Sequence, residues 1–215
     1  MTKRGTVNFY ETVDWKKIEK VVTPGIKEYL KNVHNYLLKN ISGNVLVLEV
    51  GCGTGDFIKK IAKQVEKVIG IDVSDKLIET AKNNLRGIKN ISLIRADIDS
   101  TKIPRDYFDF IISMWTLPNL DNPLPFIKKM KGALKPTGTI FIDTYSEKAT
   151  KDRIKQYEDY GLTISKVDKK EIVLKEGLTE RIYTQKDLED LFKKAGMNVK
   201  VIKIHELGYL CRATK

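Results

Sequence analysis

Glu49-Val50-Gly51-Cys52-Gly53-Thr54-Gly55 is the most informative segment of the chain, because it joins a short apolar run to a segment with helical spacing. The preceding residues 44–50 are apolar without alternation, which is typical of a strand buried on both faces of a parallel sheet. Glycines at such a corner let the backbone turn sharply and let a ligand lie beside the N–H groups of a helix N-terminus. The segment predicts a ligand-binding turn, although three glycines also suffice for a plain strand-to-helix corner.

Apolar runs of the same kind recur along the chain. They occupy residues 68–71, 91–94, 108–112 and 139–142, and two closing strands are predicted at 198–205 and 209–213. The intervening segments are long enough for helices, and this alternation predicts parallel βαβ units. We therefore expect an α/β fold with a doubly wound, mostly parallel seven-stranded sheet, an antiparallel C-terminal edge and helices on both faces.

Local signals place the helices between these strands. Helices are predicted over residues 57–65, over 75–85 with Ser74 as N-cap, and over 123–134, followed by a turn at 135–138. Thr184 to Asp187 resembles a capping box at the start of another helix.

The chain length predicts one domain, because 215 residues with 41% hydrophobic content can bury a single core. Residues 1–40 are predicted to form an N-terminal helical flap, with two helices separated at Thr23-Pro24-Gly25. Residues from about 145 to 183, after the fifth strand, are predicted to form an inserted lid with a helix near 152–160. Residues 171–174 and 179–183 are predicted to pair as an antiparallel hairpin within it.

The composition bears on location and partners. The N-terminus has no apolar leader and no later run is long enough to span a bilayer, so we expect neither secretion nor membrane insertion. Cys52 and Cys211 have unrelated contexts and the chain has only two histidines, which favours a cytoplasmic protein without disulfides or a metal site. The formal net charge of +11 invites a nucleic-acid partner. Its lysines alternate with acidic residues, as on solvated helical faces, so nucleic acid stays the less favoured partner.

An acidic residue follows the second predicted strand. Asp72 lies about 20 residues beyond the glycines, the separation at which a carboxylate can bind a ribose diol. The alternative is that Asp72 only caps the helix starting near Ser74, and the two roles can coexist.

The glycine spacing bears on which nucleoside is bound. Nicotinamide enzymes space their glycines GxGxxG so that a pyrophosphate sits on the helix dipole. Here the spacing is GxGxG, and Asp56 follows the third glycine. A carboxylate there would repel a pyrophosphate, whereas a phosphate-free sulfonium cofactor tolerates it.

Five ordered segments resemble the class I, Rossmann-like methyltransferases, and the resemblance extends from Val45 through nearly the whole remaining chain. The segments are residues 49–55, 71–74, 95–98, 107–113 and 134–139. The resemblance implies S-adenosyl-L-methionine as cofactor and S-adenosyl-L-homocysteine as product.

Carried over by position, the resemblance implies the roles of individual residues. The glycines would pass beneath the methionine moiety, Asp72 would bind the ribose hydroxyls, and Asp97 with Ile98 would frame the adenine. The full implied cofactor set is Glu49, Gly51, Cys52, Gly53, Thr54, Gly55, Asp72, Val73, Ala96, Asp97, Ile98, Ser113 and Met114. Asp97 has an alternative role as the cap of a turn.

Methyl transfer by in-line displacement needs alignment and exclusion of water more than a universal catalytic residue. The segment after the fourth strand lacks the motifs of amide, pyrimidine and arginine methylases, so the chain resembles the small-molecule branch. The pocket candidates are Tyr10, Trp115, Asn119, Tyr145, Arg181 and Tyr183, each of which also has an ordinary packing or turn role available. If Arg181 points into the cleft, it would favour a carboxylate or phosphate on the acceptor.

An RNA methyltransferase and a non-catalytic S-adenosylmethionine-binding protein remain the alternative functions.

Overall fold

The order of helices and strands follows the predicted alternation. The structure is a computed structural model that describes residues 3–215, without the side chains of residues 3–7, 15, 16 and 19; the first two residues of the predicted flap lie outside the described residues. The α-helices are α1 (Lys3–Thr12), α2 (Trp15–Val21), α3 (Pro24–Asn40), α4 (Asp56–Ile61), α5 (Asp75–Asn84), α6 (Pro123–Ala133), α7 (Thr150–Tyr160) and α8 (Gln185–Lys194). The strands are β1 (Gly43–Val50), β2 (Val65–Asp72), β3 (Ile91–Arg95), β4 (Phe108–Ser113), β5 (Leu134–Tyr145), β6 (Ile164–Val167), β7 (Glu171–Leu174), β8 (Thr179–Arg181), β9 (Asn198–His205) and β10 (Gly208–Thr214).

Seven strands form the central sheet in the order β3-β2-β1-β4-β5-β10-β9. The first five strands in this order, β3, β2, β1, β4 and β5, pair in parallel, whereas β10 pairs antiparallel with both β5 and β9. The predicted doubly wound sheet with an antiparallel C-terminal edge is confirmed. Strand order reverses between β1 and β4, and such a reversal opens a crevice at the carboxyl ends of the two strands.

Apolar cores cover both faces of the sheet. Neighbouring residues of one strand enter different cores: Val47 packs with α3, α4 and α5, whereas Leu48 packs with α6 and α8. The same division separates Phe141 from Ile140 in β5. Because successive side chains of a strand point to opposite faces, helices cover the sheet on both sides, as predicted.

Side-chain caps start the helices where the sequence predicts them. Ser74 Oγ accepts from Leu77 N at 3.1 Å at the start of α5. Thr184 and Asp187 form the predicted capping box at the start of α8, with hydrogen bonds in both directions. These bonds satisfy N–H groups that have no partner within the helix.

Two predicted boundaries are wrong. Residues 135–138 were expected to form a turn, but they belong to β5, whose register with β4 shifts between Leu134 and Thr139. Gly138 permits this pairing, because a Cβ there would lie 2.8 Å from Asp109 O. The helix expected over 57–65 ends at Ile61, and β2 already begins at Val65.

The predicted flap and lid contain more structure than the sequence indicated. Helix α1 and strand β6 were not predicted, and β6 joins the predicted hairpin in a separate three-stranded sheet, β6-β7-β8. A third apolar core joins flap and lid, and it contains Phe9, Val13, Tyr157, Ile172, Leu174 and Leu178. Among the described helices, none is long and apolar enough to cross a membrane.

Candidate functional site

A cavity of about 450 Å³ lies at the carboxyl ends of β1, β2 and β4, between the sheet, the flap and the lid. Most of the cofactor residues implied by the sequence line it: Glu49, Gly51, Cys52, Gly53, Thr54, Asp72, Val73, Ala96, Asp97, Ile98 and Met114. Four of the six acceptor-pocket candidates line it too: Tyr10, Trp115, Asn119 and Tyr145. The two predicted sets therefore share one cavity.

The glycine-rich turn at the end of β1 is tied to β2 and leaves its backbone accessible. Gly51 N and Cys52 N donate to Ile71 O at 2.7 and 3.1 Å. Gly51 and Gly53 have φ of +75° and +52°, a region that residues with a Cβ adopt at a cost. A Cβ at Gly51 would overlap the Thr116 hydroxyl, whereas a Cβ at Gly53 would meet nothing within 4 Å. Gly53 thus has open space beside it, as close approach of a ligand to the backbone requires.

Asp72 ends β2 next to this turn. Its Oδ2 accepts from Gly53 N at 2.9 Å and its Oδ1 accepts from Ser74 N at 3.0 Å. Burial raises the pKa of Asp72, and the backbone N–H donors partly oppose that effect. The side chain that caps α5 is Ser74, so the carboxylate of Asp72 fixes the glycine turn and lines the cavity at the same time.

Glu49 brings an unpartnered carboxylate oxygen to the cavity. The residue is 2% exposed, and its Oε2 has no hydrogen-bond partner. Burial raises the pKa of Glu49 well above its usual range, and the nearby charges of Asp72, Asp56 and Asp143 add to the effect. A buried carboxylate is costly unless a cation or donor reaches it. This end of the cavity therefore suits a cationic ligand and disfavours a diphosphate.

The wall beyond β2 and β3 is mostly apolar. It is formed by Val73 and Leu77 after β2 and by Ala96, Asp97 and Ile98 after β3. Asp97 Oδ1 accepts from Asp99 N at 3.0 Å, so this side chain also closes the turn in which it lies. Apolar side chains beside one carboxylate suit a flat heterocycle with hydrogen-bonding edges.

Trp115, directly after β4, has an unusual backbone that Asp143 supports. Trp115 has φ of +55°, and its N–H donates to Asp143 Oδ1 at 2.7 Å. Tyr29 O–H donates to Asp143 Oδ2 at 2.9 Å, and burial raises the pKa of Asp143 to about 7. The Trp115 ring stacks on the Tyr145 ring with 5.5 Å between centroids. Asp143 was not singled out from the sequence, because nothing local marks it as the partner of a residue 28 positions away.

Asn119 connects the flap to the loop after β4. Its Nδ2 group donates to Tyr10 Oη at 2.7 Å and to Trp115 O at 2.9 Å. Three buried polar atoms in this part of the cavity have no hydrogen-bond partner, namely Trp115 Nε1, Asn119 Oδ1 and Tyr145 Oη. Such groups cost free energy in the folded protein and mark positions where a ligand can supply partners.

A buried ion pair from the lid also lines the cavity, and it was not predicted from the sequence. Arg153 of α7 contacts Glu180 of β8, with Nε–Oε1 at 3.0 Å and Nη2–Oε2 at 2.6 Å. The two side chains are 12% and 5% exposed. The guanidinium lies 4.5 Å from the ring centroids of both Tyr145 and Tyr157. The spacing of Arg153 and Tyr157, one helical turn apart, is the only sequence feature that relates to this cluster.

Two of the implied cofactor residues do not reach the cavity. Gly55 starts α4 with φ of +80°, and a Cβ there would lie 2.7 Å from Leu85 Cδ1, so this glycine serves helix packing. Ser113 is fully buried, and its hydroxyl donates to Val50 O at 3.1 Å.

Two of the acceptor-pocket candidates also lie elsewhere. Arg181 donates to the carbonyls of Leu120 and Asp121, which fastens the lid to the loop after β4. Arg181 and Tyr183 line a separate, smaller pocket. Arg181 is therefore not placed to pair with an anionic group of an acceptor in the main cavity.

The charged residues that line the cavity are mainly acidic, whereas the whole chain has a formal net charge of +11. Its acidic lining residues are Glu49, Asp56, Asp72, Asp97, Asp99, Asp121 and Glu180, whereas Arg153 is the one Lys or Arg in the described lining. His34 also lines the cavity, and burial lowers its pKa to about 4, so it is neutral at pH 7. Within the described residues, no cluster of three or more His, Cys, Asp or Glu could hold a metal ion.

Comparisons with known proteins agree with this arrangement. A family model described as "Methyltransferase domain" matches residues 41–196. The chain is 30% identical to a demethylmenaquinone methyltransferase of Staphylococcus saprophyticus over 173 residues, 75% of this chain and 74% of that protein. It is 33% identical to a malonyl-[acyl-carrier protein] O-methyltransferase of Priestia megaterium over 122 residues, but that match spans only 44% of the relative and 54% of this chain. A SAM-dependent methyltransferase from Aquifex aeolicus has a similar fold, with a TM-score of 0.68 at 20% identity, covering 94% of this chain and 98% of that one.

Proposed function

The chain belongs to the S-adenosylmethionine-dependent methyltransferases with the "Methyltransferase domain", and from that membership we propose that it methylates a small-molecule acceptor. The observation that carries the proposal is the combination of open backbone at Gly53 with the unpartnered carboxylate of Glu49 in one cavity. A cofactor that is cationic and has no phosphate groups suits both features. The name of the Staphylococcus saprophyticus relative, matched over most of its length, supports a small-molecule acceptor.

The residues present fit S-adenosylmethionine. In this proposal Gly51 and Gly53 lie against its methionine part, and Asp72 binds the ribose hydroxyls. Asp97 and Ile98 frame the adenine. Support comes from the positions of these residues along one continuous lining and from the open space at Gly53, which a side chain would fill.

When bound, the cofactor supplies a methyl group that is already activated by its sulfonium. The chain's own residues then have to orient the acceptor and exclude water. Trp115 and Tyr145 form a stacked wall in the cavity, and the lid and flap cover it. Burial raises the pKa of both Tyr145 and Tyr157, and both phenols are protonated at neutral pH. Tyr157 Oη donates to Glu180 Oε2 at 2.7 Å, whereas Tyr145 Oη has no partner and is available to a ligand.

Calorimetry tests the cofactor, and a turnover assay tests the reaction. We expect S-adenosylhomocysteine to bind the full chain with micromolar or tighter affinity, and NAD to give no heat at the same concentrations. Incubation with S-adenosylmethionine and a pool of small metabolites should then release S-adenosylhomocysteine. Tight binding of NAD with no binding of S-adenosylhomocysteine would refute the proposal, and binding without release with any acceptor would reduce the chain to a cofactor-binding protein.

A further inference from the structure

We call the part of the cavity near the lid its acceptor end; it is lined by Tyr10, Trp115, Asn119, Tyr145, Arg153 and Glu180. The ion pair between Arg153 and Glu180 sets the charge there. Arg153 is the one Lys or Arg among the described residues of the lining, and Glu180 receives hydrogen bonds from its Nε and Nη2 groups. The pair is nearly buried, so the two charges neutralise one another where water screens them little. The acceptor end therefore carries no uncompensated positive charge from the residues that the structure describes there.

The Arg153 guanidinium has further hydrogen-bond acceptors besides Glu180. Nη1 contacts Gln156 Oε1, and Nη2 donates to Tyr157 Oη at 2.5 Å. Tyr145 and Tyr157 both lie 4.5 Å from the guanidinium carbon, measured to their ring centroids. A guanidinium binds a carboxylate through two parallel N–H groups, either Nε with Nη2 or Nη1 with Nη2. In Arg153 the first pair faces Glu180 and the second faces Gln156 and Tyr157, so neither pair is left for a second carboxylate. An anionic acceptor would thus be buried without a bidentate partner, which is costly.

Three buried atoms at this end of the cavity have no hydrogen-bond partner, and they suit a neutral group rather than an anion. Trp115 Nε1 is a donor only, Asn119 Oδ1 is an acceptor, and Tyr145 Oη is both. A neutral hydroxyl group, which both donates and accepts, can satisfy atoms of both kinds. A site with polar groups of this sort discriminates strongly against a molecule that lacks the matching group.

Apolar side chains from the flap and the lid also line the cavity. Phe9 and Ile18 come from the flap, and Leu162 and Leu178 come from the lid. These side chains favour the apolar body of a ligand over a charged one.

We infer that the acceptor is an uncharged molecule with an apolar body and a hydroxyl-type polar group, and that Glu180 determines this specificity by neutralising Arg153. The inference rests on the proposed function, because it takes this end of the cavity as the acceptor site. It adds a charge rule: Glu180 excludes anionic acceptors, and its loss admits them.

Three para-substituted phenols that differ mainly in charge test the charge rule on the intact protein with S-adenosylhomocysteine bound. They are 4-propylphenol, which is neutral, 3-(4-hydroxyphenyl)propanoate, which is anionic, and tyramine, which is cationic. We expect the neutral phenol to bind at least tenfold more tightly than either charged probe in calorimetry. A charged probe that binds as tightly as 4-propylphenol, or a protein that takes up none of the three, would overturn the inference while binding of S-adenosylhomocysteine leaves the proposed function standing.

Glu180→Gln tests the residue itself. It should lower the Kd of 3-(4-hydroxyphenyl)propanoate at least tenfold, because Arg153 gains a free charge, and change the Kd of 4-propylphenol less than threefold. The double variant Arg153→Met/Glu180→Gln is the matched control: there the anion should bind as weakly as in the wild type. Equal gains for all three probes in Glu180→Gln would indicate a loosened lid and contradict the charge rule. If the single variant does not fold, the comparison of probes on the wild type still tests whether the site excludes the anion, and tight binding of the anion there would overturn the inference.

Discussion

The backbone N–H of Trp115 donates to the Asp143 carboxylate at 2.7 Å, and this bond holds a bulky residue at φ of +55°. Tryptophan rarely adopts that conformation, because its Cβ crowds the backbone. The same carboxylate accepts from Tyr29 of α3, so one buried side chain joins the flap, the end of β5 and the stacked wall of the cavity.

Removal of the Asp143 carboxylate should destabilise the protein. In Asp143→Ala the N–H of Trp115 and the O–H of Tyr29 both lose a buried acceptor, which should lower the free energy of unfolding by about 2–4 kcal/mol. Asp143→Asn should cost less, because its amide oxygen still accepts one of these bonds. Urea denaturation monitored by circular dichroism measures both variants, and equal losses would contradict the hydrogen-bonding role.

Asp143 should also make stability depend on pH. Burial raises the pKa of Asp143 to about 7, so the folded state favours the protonated acid. The stabilisation from this group is therefore fully present below pH 4 and is lost as the pH rises to about 7. The difference in free energy of unfolding between the wild type and Asp143→Asn should shrink over that interval and stay constant above pH 8. A difference that grows with pH would show that the carboxylate is ionised in the folded protein.

A side chain at Gly53 should block the cofactor without a matching loss of stability. Gly53→Ala puts a methyl group into open space beside the turn, and we expect the Kd for S-adenosylhomocysteine to rise at least tenfold. Gly87→Ala is the control, because Gly87 also has positive φ and open space but does not line the cavity. Each variant should lose about 1–2 kcal/mol of folding free energy through backbone strain. Equal Kd values for the two variants would place the ligand away from the turn.

Variants of Asp72 and Ser74 should distinguish ligand binding from helix capping. Asp72→Asn should weaken binding of S-adenosylhomocysteine at least tenfold in calorimetry, because the carboxylate can accept hydrogen bonds from both ribose hydroxyls and the amide cannot. Ser74→Ala removes the N-cap of α5, which should cost about 1 kcal/mol of stability. Its Kd should stay within twofold of the wild type. If both variants bind equally well, Asp72 acts only on the local backbone.

The features that the sequence predicted have local causes or follow from a regular spacing. The glycine turn and the Ser74 cap depend on backbone conformation and on residues a few positions away. Asp72 follows from its separation of about 20 residues from the glycines, and its bond with Gly53 N joins the two segments. The turn expected at residues 135–138 failed because pairing with β4 prevailed over local turn chemistry.

The features that it missed depend on contacts between distant segments. Arg153 and Glu180 are 27 positions apart and belong to a helix and a strand, so their pairing has no periodic signature. Arg181 was predicted to bind an anionic group if it pointed into the cleft, because a guanidinium pairs with carboxylates and phosphates. In the structure its side chain instead donates to a carbonyl of the loop after β4 and fastens the lid there. Residue type predicts what a side chain can bind, whereas only the fold decides which way it points.

Phe9 and Val13 pack into one core with residues of α7, β7 and the segment before β8. The two covers of the cavity are separated by more than a hundred residues in the chain, yet they bury their apolar surface against each other. If either the flap or the lid moves away alone, the apolar surface of the other is exposed to water. Entry and exit of small molecules should therefore depend on one concerted movement of both covers, and a sequence change on either side of this shared core should alter the rate of that movement as a whole.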